Sequence, residues 1–383
     1  MSRKGPVSHA VLGGLTSLLV ETMLFFGLPL ALPSEQAVAS YHGISPATAE
    51  KLQIFLDRFA AFNPNRKVTY HIESGPCPPG FILIKYETDF SAPAFAASSA
   101  LLLSEDARFV FVGHALPLGD SSVKGRDPQG PKKLSRFFST KAGNSMHVCW
   151  DWNPGPGGTF VATVTLQSPL GPVQRPGALS EDGRWFLFGA FFPLNQDPRR
   201  VRMARLGLKS RPVLGPPEAT VTLVEISDYQ CPECADLQPL LEEELAKHSR
   251  RLKLVRVDNP QWQAHDWAMK AAAWSRCVGQ DAPRAYWDFA TAIFFRQRDL
   301  TSSNFDSLMG PVAEGLAIPP AVLGSCLGRG SGAKAVLDDL NRVASIGLSG
   351  TPALLVNGVL MGRSTATDLD AAIERAISSE YRP

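Results

Sequence analysis

The chain has almost no charge of one sign to spare: 38 Lys and Arg stand against 36 Asp and Glu in 383 residues. That balance lacks the basic excess that a nucleic acid or an anionic membrane surface selects, so neither is implied as a partner. Long apolar runs are equally scarce. After one N-terminal stretch, His9 to Leu32, no second run of that length occurs anywhere downstream. Cysteine is thin as well, and no second C-x-x-C, nor any His at finger-like spacing, accompanies the single close pair Cys231 and Cys234. What the chain does have is a 44% apolar content, which excludes a disordered protein, and length for two or three packed domains.

The N-terminal stretch has an export layout. Arg3 and Lys4 precede it, its densest part is Met23 to Leu32, and a small-x-small site follows at Ala37-Val38-Ala39, making Ser40 the first mature residue. Glu21 interrupts the run and weakens a retained span. Residues 1–39 are therefore expected to be a signal peptide or an uncleaved anchor, with a cytosolic helix as the remaining alternative. The expected location is periplasmic or otherwise extracytoplasmic, with membrane contact only through an uncleaved N-terminal segment. In such an oxidising compartment the six cysteines (Cys77, Cys149, Cys231, Cys234, Cys277 and Cys326) favour disulfides over metal binding.

The first half repeats itself. LSEDARFVFVGHALPL, Leu103 to Leu118, aligns without gaps on LSEDGRWFLFGAFFPL, Leu179 to Leu194, with Leu, Ser, Glu, Asp, Arg, Gly, Pro and Leu in common. Each copy reads as an acidic turn followed by a strand, and upstream of each lies another strand pair around a Pro/Gly turn. Before the first copy, Ser45 and Pro46 open a helical pattern with apolar residues at Leu52, Phe55, Leu56, Phe59 and Phe62. The expected architecture here is two tandem small α+β modules, residues 40–120 and 130–208, which we expect to pack on each other within one chain. The basic runs Pro131 to Arg136 and Pro198 to Arg205 read as solvated linker helices.

From residue 216 the character changes. ATVTLVEISDYQ is nearly continuous in apolar and branched residues, as in a strand covered on both faces, and runs straight into Cys231-Pro232-Glu233-Cys234 and a helical spacing at Leu237, Leu240, Leu241 and Leu245. Cys231 thus falls where a strand ends and a helix begins. Backbone N–H groups and the aligned dipoles at a helix N-terminus favour a negative charge there, and thiolate is the species that attacks disulfides. Pro232 suits the first turn, and Cys234 follows one turn on, close enough to resolve a mixed disulfide. A zinc site needs more ligands than are offered, and haem attachment needs His where Ala235 stands. No cofactor and no metal are implied.

These residues and the segments after them resemble the DsbA-like branch of the thioredoxin superfamily, exported disulfide oxidoreductases and isomerases with a helical insertion in a thioredoxin fold. VEISDYQCPEC, LKLVRVDNP, His265 with MKAAAWSRC, YWDFATAIF, SIGLSGTPALLVNG and TDLDAAIERAI occur in the family's order. The resemblance implies an α/β thioredoxin fold with helical insertion over 216–383, and a cis bond at Thr351-Pro352 with Thr351 facing Cys231. It also implies a buried acid, Glu225, moving protons beneath Cys234 in apolar surroundings. Relatives carry cysteines where Cys277 and Cys326 stand, so a structural disulfide there competes with two buried thiols. For Cys77 and Cys149, a bridge between the modules is left open. The modules faintly resemble the small N-terminal domain of the DsbC and DsbG family.

The resemblance and the pair together predict an extracytoplasmic thiol:disulfide oxidoreductase. Its expected partners are protein substrates with disulfides or thiols and an unidentified redox partner. Glu233 between the cysteines places an anion beside the attacking sulfur, which points to a reductase or isomerase over a strong oxidase. The alternative is a redox-tuned envelope binding or chaperone module with little turnover.

Overall fold

The computed structural model describes residues 43–60, 68–87, 101–123, 127–142, 145–280, 282–361 and 366–378; the expected export segment 1–39 and Phe62 lie outside them. Ser45 caps helix α1 (Pro46–Ala60), its Oγ accepting the Thr48 N–H at 3.2 Å. Leu52, Phe55, Leu56 and Phe59 recur on one face of that helix and are all buried, each contributing about 2 kcal/mol of apolar burial. A four-stranded meander follows: β1 (Thr69–Glu73), β2 (Phe81–Glu87), β3 (Leu101–Ser104) and β4 (Phe109–Pro117). The second unit repeats that order with α2 (Gly130–Ala142), β5 (Met146–Pro154), β6 (Phe160–Ser168), β7 (Gly171–Leu179) and β8 (Trp185–Pro193).

The repeated sequence makes the same hairpin twice. Ser104 Oγ donates to Asp106 at 2.6 Å and accepts the Phe109 N–H at 3.0 Å; Ser180 Oγ donates to Asp182 at 2.6 Å and accepts the Trp185 N–H at 2.9 Å. The two meanders then join through β4 and β8 into one antiparallel sheet, ordered β1-β2-β3-β4-β8-β7-β6-β5. The repeat carries Gly113 onto Gly189, and these two are each other's partners in the β4–β8 ladder. A local two-fold axis therefore passes between them, as at an isologous interface made inside one chain. Only glycine fits there: φ is +151° and +152°, and a Cβ would lie 2.1 Å from the Phe188 carbonyl oxygen or 2.2 Å from that of Val112.

Two sequence expectations fail in this half. The run Pro131 to Arg136 belongs to α2, whose Leu134 and Phe138 are buried against β5, β6 and Phe186; its lysines cover only the outer side of a core helix. The run Pro198 to Arg205 is helix α3 (Pro198–Leu206), and it lies at the junction of the two halves. There Arg202 is 1% exposed, donates to the carbonyls of Phe59 and Gly358, and stacks 3.8 Å from the Phe59 ring centroid. Burial pulls its pKa down to about 9, still charged at neutral pH. Charge runs read as surface because solvation is their usual fate; a guanidinium can instead be buried when carbonyls and a ring face take the place of water. The open pairing is settled by topology: Cys77 follows β1 and Cys149 lies on β5, the opposite edges of the sheet, and both are free thiols.

The second half builds a five-stranded sheet ordered β13-β12-β10-β11-β9, with β10 and β11 parallel and the other pairs antiparallel. Its strands are β9 (Val213–Leu214), β10 (Val221–Ser227), β11 (Leu252–Asp258), β12 (Ala353–Val356) and β13 (Val359–Met361). Helix α4 (Pro232–Lys247) connects β10 to β11, and α10 (Ala366–Ile377) closes the fold. Between β11 and β12 come α5 (Ala268–Val278), α6 (Pro283–Phe295), α7 (Phe305–Gly315), α8 (Pro320–Gly328) and α9 (Ser331–Ser345), the expected helical insertion. Both faces of β10 are covered: Val221 and Leu223 pack with Leu369 and Ile373 of α10, while Val224 and Ile226 share a core with Phe55, Phe59 and Phe192 of the first half. At a second junction, Val173 of β7 enters the core of the helical insertion, and Arg175 reaches the Leu340 carbonyl at 3.1 Å. The two halves share cores, so the second half is seated on the sheet.

Candidate active site

Strand β10 delivers the chain to a tight turn, and α4 starts at Pro232 with Cys231 as its N-cap. Cys231 is 3% exposed and Cys234 fully buried one turn further on. Across from them the Thr351-Pro352 bond is cis, and the Thr351 carbonyl oxygen lies 3.7 Å from Cys231 Sγ. Residues 120 apart in sequence thus meet at one sulfur. The Cys231 thiol also donates to the Glu233 carboxylate at 3.3 Å. Burial, first of all, and then neighbouring Cys231, Glu225 and Asp228 push the Cys234 thiol well above the ordinary thiol range.

Amide side chains brace this arrangement. Gln297 Nε2 donates to the carbonyls of Tyr229 and Cys231, both at 2.9 Å, holding the turn before α4. Asn259 and Gln261 donate to the Ser349 carbonyl at 3.0 and 2.9 Å, holding the loop that carries Thr351 and Pro352. Beneath the turn, the buried Asp228 carboxylate accepts the N–H groups of Gln230 and Gln261, each at 2.7 Å, and meets His265 Nδ1 at 2.6 Å. The Asp228 N–H points at Cys234 Sγ, 3.5 Å away. Of these, only His265 and the Ser-Asp segment were visible as landmarks in the sequence. The amides carried no signal, because their partners are backbone oxygens brought close by folding.

Glu225 lies where the sequence put it, on β10 and fully buried, but its surroundings are not apolar. Its carboxylate accepts from Arg256 Nε at 2.8 Å, Ser227 Oγ at 2.7 Å and Gln238 Nε2 at 2.9 Å. The signal for its partner was a lone Arg256 inside the apolar strand LKLVRVD, in parallel register with Glu225. Burial alone would lower the pKa of Arg256, but the charge of Glu225 overcomes it and the pKa is raised. A second buried layer lies alongside: Arg276 joins Asp258 at 2.6 Å to Asp339 at 2.7 Å, and Arg211 also pairs with Asp339. Cys277 of α5 and Cys326 of α8 form a disulfide inside the insertion. Pro232 and Glu233 sit in the first turn of α4 as expected.

Residues 208–375 match the thioredoxin family model, and this half has a thioredoxin-like fold with helices inserted between β11 and β12. Disulfide bond formation protein D of Bacillus subtilis is 27% identical over 182 residues, 45% of this chain and 80% of that protein. Na(+)/H(+) antiporter NhaA 1 of Salinispora arenicola is 30% identical over 211 residues, 52% of this chain and 29% of the antiporter, so the chain spans under a third of that relative's length. Among solved structures, oxidised BdbD of Bacillus subtilis is 25% identical with a TM-score of 0.40, covering 45% of this chain and 96% of that one. No described helix is long and apolar enough to cross a membrane.

Proposed function

We propose that the chain is an extracytoplasmic thiol:disulfide oxidoreductase that acts on protein disulfides through Cys231 and Cys234 and favours reduction or isomerisation over strong oxidation. The observation that carries this reading is the meeting of Cys231 Sγ, at the N-terminus of α4, with the Thr351 carbonyl across the Pro352 loop. Similarity to a protein named for disulfide bond formation supports the same chemistry.

Cys231 thiolate attacks one sulfur of a substrate disulfide, forming a mixed disulfide and releasing the other substrate sulfur as a thiolate. Cys234 then attacks Cys231 Sγ. The substrate leaves as a dithiol, two electrons have passed to it, and Cys231 and Cys234 hold the new disulfide. In isomerisation the released substrate thiolate attacks a further disulfide of its own chain, and the protein departs still reduced. Thr351 offers its backbone to an extended substrate by strand addition. The buried Cys234 thiol, raised well above the ordinary range by its surroundings, needs a proton acceptor as it attacks, and we assign that role to Glu225, whose charge acts on the thiol. Glu233 supports the reducing bias: its carboxylate, 3.3 Å from Cys231 Sγ, would face a thiolate as a like charge.

Insulin reduction and refolding of a scrambled disulfide protein test the reading together. Wild type is expected to perform both, and Cys231→Ser to fall to background in both. Cys234→Ser should accumulate a mixed disulfide with substrate, seen by mass spectrometry. Equal activity of Cys231→Ser would end this reading in favour of a binding module.

A further inference from the structure

At the far end of α4 from the cysteines, a second cluster of ligand atoms converges. Glu244 and His248 stand one turn apart at the C-terminus of α4, and Asp370 and Glu374 stand one turn apart on α10. His248 Nε2 lies 3.0 Å from Asp370 Oδ1 and 3.4 Å from Glu244 Oε2, and His248 Nδ1 lies 3.6 Å from Glu374 Oε1. One ligand atom each from Glu244, His248 and Asp370 falls within 4.8 Å of the other two.

We propose that Glu244, His248 and Asp370 form a binding site for a divalent transition ion of the zinc class, clamping the C-terminus of the redox helix to α10. Two observations carry it beyond a group of acids. The first is spacing: tetrahedral ligands at zinc distances are separated by roughly 3.3 Å, close to the separations around His248 Nε2. The second is an unpartnered group, because Glu244 is 3% exposed and its Oε2, aimed into the cluster, has no hydrogen-bond partner. A buried oxygen without a donor costs free energy unless a proton or a cation meets it. Lys247 pairs with Asp370, but its side chain is 49% exposed and leaves Glu244 Oε2 without a hydrogen bond. Imidazole favours zinc-like ions over calcium or magnesium, which take oxygen ligands.

The test uses the full chain with Cys231 and Cys234 oxidised, so that active-site thiols cannot bind the probe. Zinc is titrated against a chromophoric chelator, and thermal melting is followed with and without zinc. One ion per chain is expected, raising the melting temperature of wild type. His248→Gln and Glu244→Gln should each weaken binding at least about tenfold and abolish the zinc-dependent shift in melting. Lys247→Gln removes a competing ammonium from an exposed position and should tighten binding, which keeps the test open if a buried substitution prevents folding. Absence of zinc binding by the oxidised chain, unchanged affinity in His248→Gln, preference for calcium, or weaker binding in Lys247→Gln would each overturn the site.

Discussion

In the eight-stranded sheet the buried polar side chains among the described residues are Ser104, Thr159 and Ser180, neutral hydroxyls that close turns; in the thioredoxin domain they include Glu225, Asp228, Arg256, Asp258 and Asp339. Both halves have dense aromatic or aliphatic cores, so the contrast is one of chemistry rather than packing. The sheet's buried hydroxyls find their partners locally, within five residues of chain. The thioredoxin domain satisfies its charges across strands and helices far apart in sequence, and two of them, Glu225 and Asp228, act on the Cys234 thiol. A scaffold needs only complementary surfaces, whereas a sulfur that changes charge during its reaction needs fixed dipoles and charges around it.

The contrast breaks most visibly at Arg256. Arg256→Met should lower stability by about 3–5 kcal/mol in urea denaturation, because it strands the Glu225 carboxylate in the interior. No single change of a turn serine in the sheet should approach that. Gly113→Ala and Gly189→Ala come next, each costing about 3 kcal/mol, since the added Cβ meets backbone that cannot move aside. Equal losses at the two positions would sharpen the symmetry of the paired modules; a loss at one alone would refute it.

A pH titration of the reduced protein separates the halves further. The Cys234 thiol is raised in the folded state, so its contribution is fully present below the ordinary thiol pKa of about 8.5. Above that pH the unfolded chain gives up the proton and the folded chain keeps it, so stability should fall by up to about 1.4 kcal/mol per pH unit. Cys234→Ala should make that alkaline slope shallower. The smallest effect belongs to Glu233→Gln, which is exposed: removing its charge should raise the reduction potential by roughly 20 mV or less. A fall in potential would contradict the like-charge argument.

Much of the site was legible in advance because its parts are local. A strand running into Cys-Pro-x-Cys and a helix sets the position of Cys231 by the geometry of neighbouring residues, and the Ser-Asp turn of each repeat closes on itself in the same way. The misjudged basic runs had no such local logic. Arg202 and Leu134 owe their burial to surfaces contributed from elsewhere, and a pattern of charges along one segment carries no record of what will cover it. Glu225 is an intermediate case: its burial followed from an apolar strand, but Arg256, its ion-pair partner, arrives from the next strand by register.

The amino-acid order by itself determined the repeated hairpins, the glycine pair able to cross at their centre, and a thiol at a helix start. Only the tertiary structure decided that the two hairpins join edge to edge, that Arg256 pairs with Glu225, and that Glu244, His248 and Asp370 converge. The reason is the range of the forces concerned: turns and caps are closed by atoms a few residues apart, while buried ions and ligand clusters take their partners from any part of the chain that folding brings within about 3–4 Å.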